Sequence, residues 1–463
     1  MLMMVLANLL GLGFLMLVAY RGYSVILFAP VAAMIPVLLT HPADIPAIFT
    51  GLYMEKAVYF VKLYFPLFLL GAIFGKLIEL GGFARAIVAA LISLLGKERT
   101  ILATVLVAAL LTYGGVSLFV VVFAVYPFAA EMFKQAEIPK RLLPPTLALG
   151  MLSFTMDALP GTPQIQNIIP TTFFNTSAWA APKLGLLGSA FILGTGLLFL
   201  HWRVRQAGGE GYGESHIQEP FIARGGDVMH PLLAMLPLVT VPLFNWVFGL
   251  LIPRTFGRVA TISLPGLGSP LVVNVAPVSG LWALEGALLV AILLVTVIAF
   301  RRLRSCFSEG SHLAVSGALL ATMNTASEYG FGAVIAALPG FVAVRDTMGM
   351  ISNPLINAAV TTTVLAGITG SASGGLSIAL AAMAGRFAAA AQASGIPLEV
   401  LHRVIAMASG GMDSLPHNGA VITLLAVTGL SHRQSYRDIF AITLLKTAAV
   451  FVVIGIYDIA GLV

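Results

Sequence analysis

Long apolar runs, divided by short polar breaks, fill almost the whole of this chain. A helix that crosses a bilayer needs roughly 20 apolar residues, so the runs leave room for about ten to twelve spans or half-spans. Residues 1–20 lack a basic start and a small-residue cleavage site, so they read as a retained span and not as a signal peptide. Runs over 24–40 and 62–80 predict two more spans. From 100 to 130 the chain is apolar except at 113–117. One straight helix of that length would overshoot a hydrocarbon core about 30 Å thick, so a re-entrant hairpin is predicted. The next span starts near Leu142, breaks over 156–167 and resumes, and 184–200 closes the first half.

Residues 201–227 are the longest hydrophilic stretch, with Arg203 and Arg205 at a basic edge that points to the cytoplasm. The second half repeats the plan. Spans near 231–252 and 281–300 precede a polar insert at 323–332. A second hairpin has its predicted tip at 369–377, and a second broken segment its break at 412–419. A polar turn over 431–438 then leads into a last span over 439–463.

The two halves also share short motifs in one order. Gly114-Gly115-Val116-Ser117, Ile138-Pro139 and Met156-Asp157-Ala158-Leu159-Pro160 in the first are echoed in the second. The echoes are Gly374-Gly375-Leu376-Ser377, Ile396-Pro397 and Met412-Asp413-Ser414-Leu415-Pro416. The intervals from serine to aspartate are 40 and 36 residues. Such order and spacing predict a duplicated unit. Discontinuous helices at matching places in two halves are the best sequence pointer to a transporter's midplane site.

Composition agrees with a polytopic membrane protein. Of 463 residues 59% are hydrophobic and 10% charged, against about 25% charged in soluble domains. The net charge of +6 is that of basic helix ends meeting lipid headgroups, and no nucleic-acid motif accompanies it. A single cysteine, Cys306, rules out an intrachain disulfide. No HExxH, zinc-spaced Cys/His cluster, Walker A loop or dinucleotide fingerprint is present, so neither a cofactor nor a metal is called for. Paired intramembrane aspartates raise a membrane-embedded hydrolase as the rival from another class. The Gly-x-Gly-Asp context of aspartyl proteases is absent, and the symmetry of the two frames favours transport.

The broken segments carry the candidate chemistry. Helix N-termini present partial positive charge that suits an anion, while unwound carbonyls and a carboxylate suit a cation. Gly114, Gly115, Gly374 and Gly375 allow close approach and positive φ at the tips. Ser117, Ser371, Ser373 and Ser377 offer hydroxyls there, or pack as the small residues of helix contacts. Asp157 and Asp413 are intramembrane carboxylates, functional by default. Either could carry a coupling proton, bind sodium, or cap a half-helix. Thr162, Gln164, Gln166 and Asn167 could bond a hydroxylated substrate, with His417 and Asn418 their rough counterparts. Glu328, beside Asn324, Thr325 and Ser327, could share in proton transfer or neutralise a cation. Lys76 and Arg386 read as snorkelling or packing cations.

Asn324-Thr325-Ala326-Ser327 together with Leu338-Pro339-Gly340-Phe341 resembles the gluconate permease family of proton-linked carboxylate symporters. Gly161-Thr162-Pro163 and the tail from Ser431 to Phe440 are similar to that family as well. The family belongs to the ion transporter superfamily of inverted-repeat carriers. The resemblance implies a homodimeric elevator carrier whose mobile part holds two hairpins and two broken helices. Dicarboxylate members carry Ser-Asn-Thr at the hairpin tip, where this chain has Gly-Val-Ser and Gly-Leu-Ser. Loss of that asparagine favours protons over sodium.

The expectation is therefore an all-α polytopic protein of the bacterial inner membrane, built of two inverted repeats. Residues 1–97 and 229–357 are expected as scaffold, 98–200 and 358–463 as transport elements, and 201–228 as linker. Its expected cargo is a small organic anion, namely gluconate, a related sugar acid or a 3-hydroxybutyrate-like acid. It would be carried with protons, the alternative being a sodium-coupled di- or tricarboxylate.

Overall fold

The computed structural model describes residues 2–21, 23–213, 229–341, 351–416 and 418–463. Helices account for nearly all of it. In the first half these are α1 (Leu2–Tyr20), α2 (Val25–Thr40), α3 (Glu55–Leu80), α4 (Phe83–Leu95), α5 (Thr100–Tyr113), α6 (Leu118–Gln135), α7 (Leu143–Met151), α8 (Ile165–Phe174) and α9 (Pro182–Gln206). The second half has α10 (Pro231–Phe256), α11 (Ser279–Ile298), α12 (Phe307–Ala337), α13 (Pro354–Thr369), α14 (Ala372–Ala393), α15 (Leu398–Ser409), α16 (Gly419–Thr428) and α17 (His432–Ala460). Among the described residues six helices are long and apolar enough to cross a membrane.

The packing is reciprocal between halves. The pair α1–α2 has its counterpart in α10–α11. Helix α2 packs on α12, and α11 packs on α3, with α3 and α12 against each other at the centre. Within each half the first hairpin arm meets the first half of the broken helix, α5 on α7 and α13 on α15. Across halves, α6 of hairpin one packs on α16, and α14 of hairpin two packs on α8. Each hairpin thus leans on the other repeat's broken helix. Exposed leucines along α1, α2, α10 and α11 present an apolar exterior suited to lipid.

Both predicted hairpins and both predicted breaks are present, with altered limits. The first break runs over 152–164 and holds one helical turn, Phe154–Asp157. The second runs over 410–418. Pro139 and Pro397, the second residues of the Ile-Pro pairs, adopt extended backbone at the entrance to each broken helix, as N-caps of the 140–142 turn and of α15.

Three expectations differ from the structure. Gly374 and Gly375 lie inside α14, and the left-handed tip is Gly370 with φ of 65°. The pair serves close packing instead, since a Cβ on Gly375 would overlap the backbone of Ala366. In the first hairpin only Gly115, at φ of 93°, takes the left-handed region. The polar insert at 323–332 lies within one continuous α12, which packs against α3 and α14. The polar turn at 431–438 is the start of α17, where Ser431 and Gln434 form a reciprocal capping box. Finally, α9 extends into the hydrophilic stretch as far as Gln206. A short antiparallel pair, β1 (Val259–Ile262) and β2 (Leu271–Asn274), joins α10 to α11.

Candidate functional site

Breaking a helix in lipid frees carbonyl groups, each costing several kcal/mol if left without a partner. The residues around the first break meet that demand one by one. Ser153 Oγ donates to Leu149 O, and Thr155 Oγ1 donates to Gly150 O at 2.7 Å. Lys446 Nζ, from α17, donates to Leu152 O at 2.6 Å. Thr162 Oγ1 donates to Thr155 O, and Asn167 Nδ2 donates to Thr162 O and Ala178 O.

Arg403 completes the set from the other repeat. It is fully buried on α15, and its partners are all carbonyl oxygens. Nε donates to Ala180 O, Nη1 to Asp157 O and Asn167 Oδ1, and Nη2 to Ala178 O and Ala180 O. All five guanidinium donors are thereby used. Next to it the equally buried His402 bonds Thr176 Oγ1 at 2.6 Å and Asn167 Oδ1 at 3.3 Å.

The second break is tied down in the same manner. Thr447 Oγ1 donates to Gly411 O, and Thr363 Oγ1 donates to Ala408 O. Asn418 caps α16 by accepting from Ala420 N and Val421 N, while its Nδ2 donates to Gly370 O in the hairpin tip. Neither aspartate caps a half-helix. The N-cap positions are Gln164 for α8 and Asn418 for α16.

The two aspartates instead lie near one lysine, which pairs with Asp413 alone. Lys446 Nζ donates to Asp413 Oδ1 at 2.9 Å, and Ser414 Oγ bonds the same oxygen at 2.8 Å. Asp157 projects against Gly410, where a Cβ would overlap its Oδ2 and stand 3.3 Å from Lys446 Nζ. Any side chain there would have to displace the Asp157 carboxylate. Asp157 is 2% exposed, and its Oδ2 has no hydrogen-bond partner among the described residues. A carboxylate from each break and an ammonium from the last helix therefore meet at the junction of the repeats.

The remaining candidates divide into spent and free groups. Thr162, Asn167, Ser371 and Asn418 are committed to backbone, with Ser371 Oγ accepting from Gly374 N. Gln164 Nε2 donates to Thr112 O, which ties the break to hairpin one. Gly114 abuts Leu238 of α10, and Gly115 faces Pro163 and Phe74. Ser117 begins α6 without a side-chain cap bond, and its N–H lies against Gly75 of α3. Gln166 Oε1 on α8 and Ser377 Oγ on α14 are buried and unpartnered, on helices that pack together. Glu328 sits against hairpin two, where a Cβ on Gly374 would overlap its carboxylate. Thr325 Oγ1 lies 3.4 Å from Ser373 Oγ beside it. His417 lies outside the described residues.

Lys446 and Arg403 escape the sequence reading, which weighs Lys76 and Arg386 as the notable cations. Lys76 makes an i,i+3 pair with Glu79 near the surface, and Arg386 borders a cavity of about 160 Å³ beside Asn357 and Phe387. The signal that could have found Lys446 is a lone cation inside an apolar run, costly in a membrane.

A protein of Bacillus subtilis (strain 168), described as the uncharacterized transporter YxjC, is 54% identical to this chain over 466 residues. The alignment covers 98% of this chain and 99% of that one. The chain belongs to the YxjC transporter family. It is thus a multi-pass membrane transporter and not an enzyme. No family model matches the sequence. Among solved structures, the YdaH transporter of Alcanivorax borkumensis is 14% identical, with 88% of each chain covered and a TM-score of 0.49.

Proposed function

We propose that this transporter is a secondary carrier bringing a small hydroxylated monocarboxylate into the cell with protons, across the bacterial inner (cytoplasmic) membrane. Gluconate, a related sugar acid or a 3-hydroxybutyrate-like acid is the cargo class. The carrying observation is the unpartnered, buried Oδ2 of Asp157 at the meeting point of both breaks. Such a carboxylate is expensive in a membrane unless it does work there, and binding and releasing a proton is the simplest work. Asp413, fixed by Lys446 and Ser414, is the steady partner, and Glu328 is a second exchange point beside hairpin two.

Half-helix N-termini at α8 and α16 favour an anionic cargo. Gln166 Oε1 and Ser377 Oγ retain hydrogen-bonding capacity for its hydroxyls. The two halves act as inverted repeats. The helices of 98–200 and 358–463 move as one body in an elevator motion. Those of 1–97 and 229–357 stay fixed and meet a second copy in a homodimer.

Uptake of radiolabelled gluconate and 3-hydroxybutyrate into proteoliposomes tests the reading. Accumulation on an imposed pH gradient, in the absence of sodium, is expected. Strict sodium dependence would support the di- or tricarboxylate alternative instead.

A further inference from the structure

Lys446 Nζ is held by two oxygens of kinds that also bind a small metal cation. One neighbour is a carbonyl freed by a broken helix, Leu152 O at 2.6 Å. A second is the carboxylate oxygen Asp413 Oδ1 at 2.9 Å. Asp157 Oδ2, buried and without a hydrogen-bond partner among the described residues, lies beyond ion-pair distance on the far side of Gly410. Unwound carbonyls joined to carboxylates are the ligand set by which discontinuous helices hold sodium. Here the centre of that set is filled by an ammonium tethered to α17.

We infer that Lys446 determines the coupling ion: its side chain occupies the position that sodium would otherwise take between the two broken helices. The inference rests on the reading of this junction as the coupling centre. A lysine suits the task because a long flexible stem places a compact charge without fixing its direction. Being covalently held, it neither dissociates nor follows a sodium gradient. With the cation position filled for good, only the proton on the neighbouring carboxylate remains exchangeable. Lys446 is not a ligand for the cargo, since it is 3% exposed and bonded to protein on both sides.

Removing the tether should open the site to the free ion. The experiment is a thermal unfolding titration of purified protein with sodium chloride against choline chloride at equal ionic strength. The midpoint of the natural chain is expected to be the same in both salts. Lys446→Ala, which leaves Leu152 O, Asp413 and Asp157 in place, is expected to gain about 2 °C or more in sodium. The gain should vanish in Lys446→Ala/Asp413→Asn. If the single variant is recovered monodisperse only when sodium is present during purification, that also supports the inference. A natural chain stabilised by sodium, a folded variant indifferent to it, or a variant recovered in neither salt would overturn it. No cargo is needed, so the outcome is separate from that of the proteoliposome assay.

Discussion

Arg403 Nη1 donates at 2.8 Å to Asn167 Oδ1, a residue of the opposite repeat. The same guanidinium bonds three main-chain carbonyls around the first break, so its charge is spent on backbone. Arg403→Lys should therefore destabilise the fold by at least ~3 kcal/mol, since an ammonium has fewer donors and no planar fork. Thermal unfolding in detergent measures this. An unchanged midpoint would show that water or neighbouring groups replace the lost bonds.

Asp157→Asn keeps the shape of the side chain and removes its titration. Proton-driven uptake should be abolished, with size-exclusion behaviour and unfolding midpoint close to those of the natural chain. Natural rates in this variant would take Asp157 out of the coupling role.

Gly410 has an ordinary helical φ of −81°, so alanine there is opposed only by what it would touch. What it would touch is Asp157 Oδ2. Gly410→Ala should lower uptake at least tenfold, a barrier change of ~1.4 kcal/mol or more. Gly455→Ala on α17, with nothing within 4 Å of the added methyl, should transport normally. Equal rates in the two variants would refute a demand for space at Gly410.

Outside the membrane, the Arg141 guanidinium bonds Glu210 at 2.8 Å and holds its carboxyl below the ordinary value of 4.5. A depressed carboxyl stabilises the fold above its unfolded pKa, and this contribution is lost as pH falls through the lower folded value. The Glu210 side chain is 46% exposed, so the contribution is at most ~1 kcal/mol. Glu210→Gln should lower the unfolding midpoint slightly at pH 7, and the difference should close below pH ~4. A gap that persists in acid would assign it to packing.

The breaks and hairpins are legible in the sequence because proline, glycine and a carboxylate within an apolar run are costly in lipid unless the helix opens there. Gly114–Gly115 and Gly374–Gly375 look alike there, yet one pair forms a tip and the other lies within a helix. The second turn is made by Gly370 instead, and Gly374 clears space for Glu328. Arg403 and Lys446 are hidden for a different reason. Their partners lie 223–246 and 294 residues away for the backbone bonds, and no local pattern encodes such distances. Gln166 and Asn167 are neighbours in sequence with unlike fates. Gln166 Oε1 is unpartnered among the described residues, while Asn167 Oδ1 accepts from Arg403 and its Nδ2 donates to two carbonyls.

The dependence of one half on the other bears on how the polypeptide is made. Until α15 leaves the ribosome and enters the bilayer, the carbonyls of Asp157, Ala178 and Ala180 lack the guanidinium that will later bind them. The N-terminal half must therefore wait, held by translocon, chaperone or local water, for residues synthesised more than two hundred positions later. Maturation is then a single late event, and a chain cut short before Arg403 should be cleared by membrane proteases.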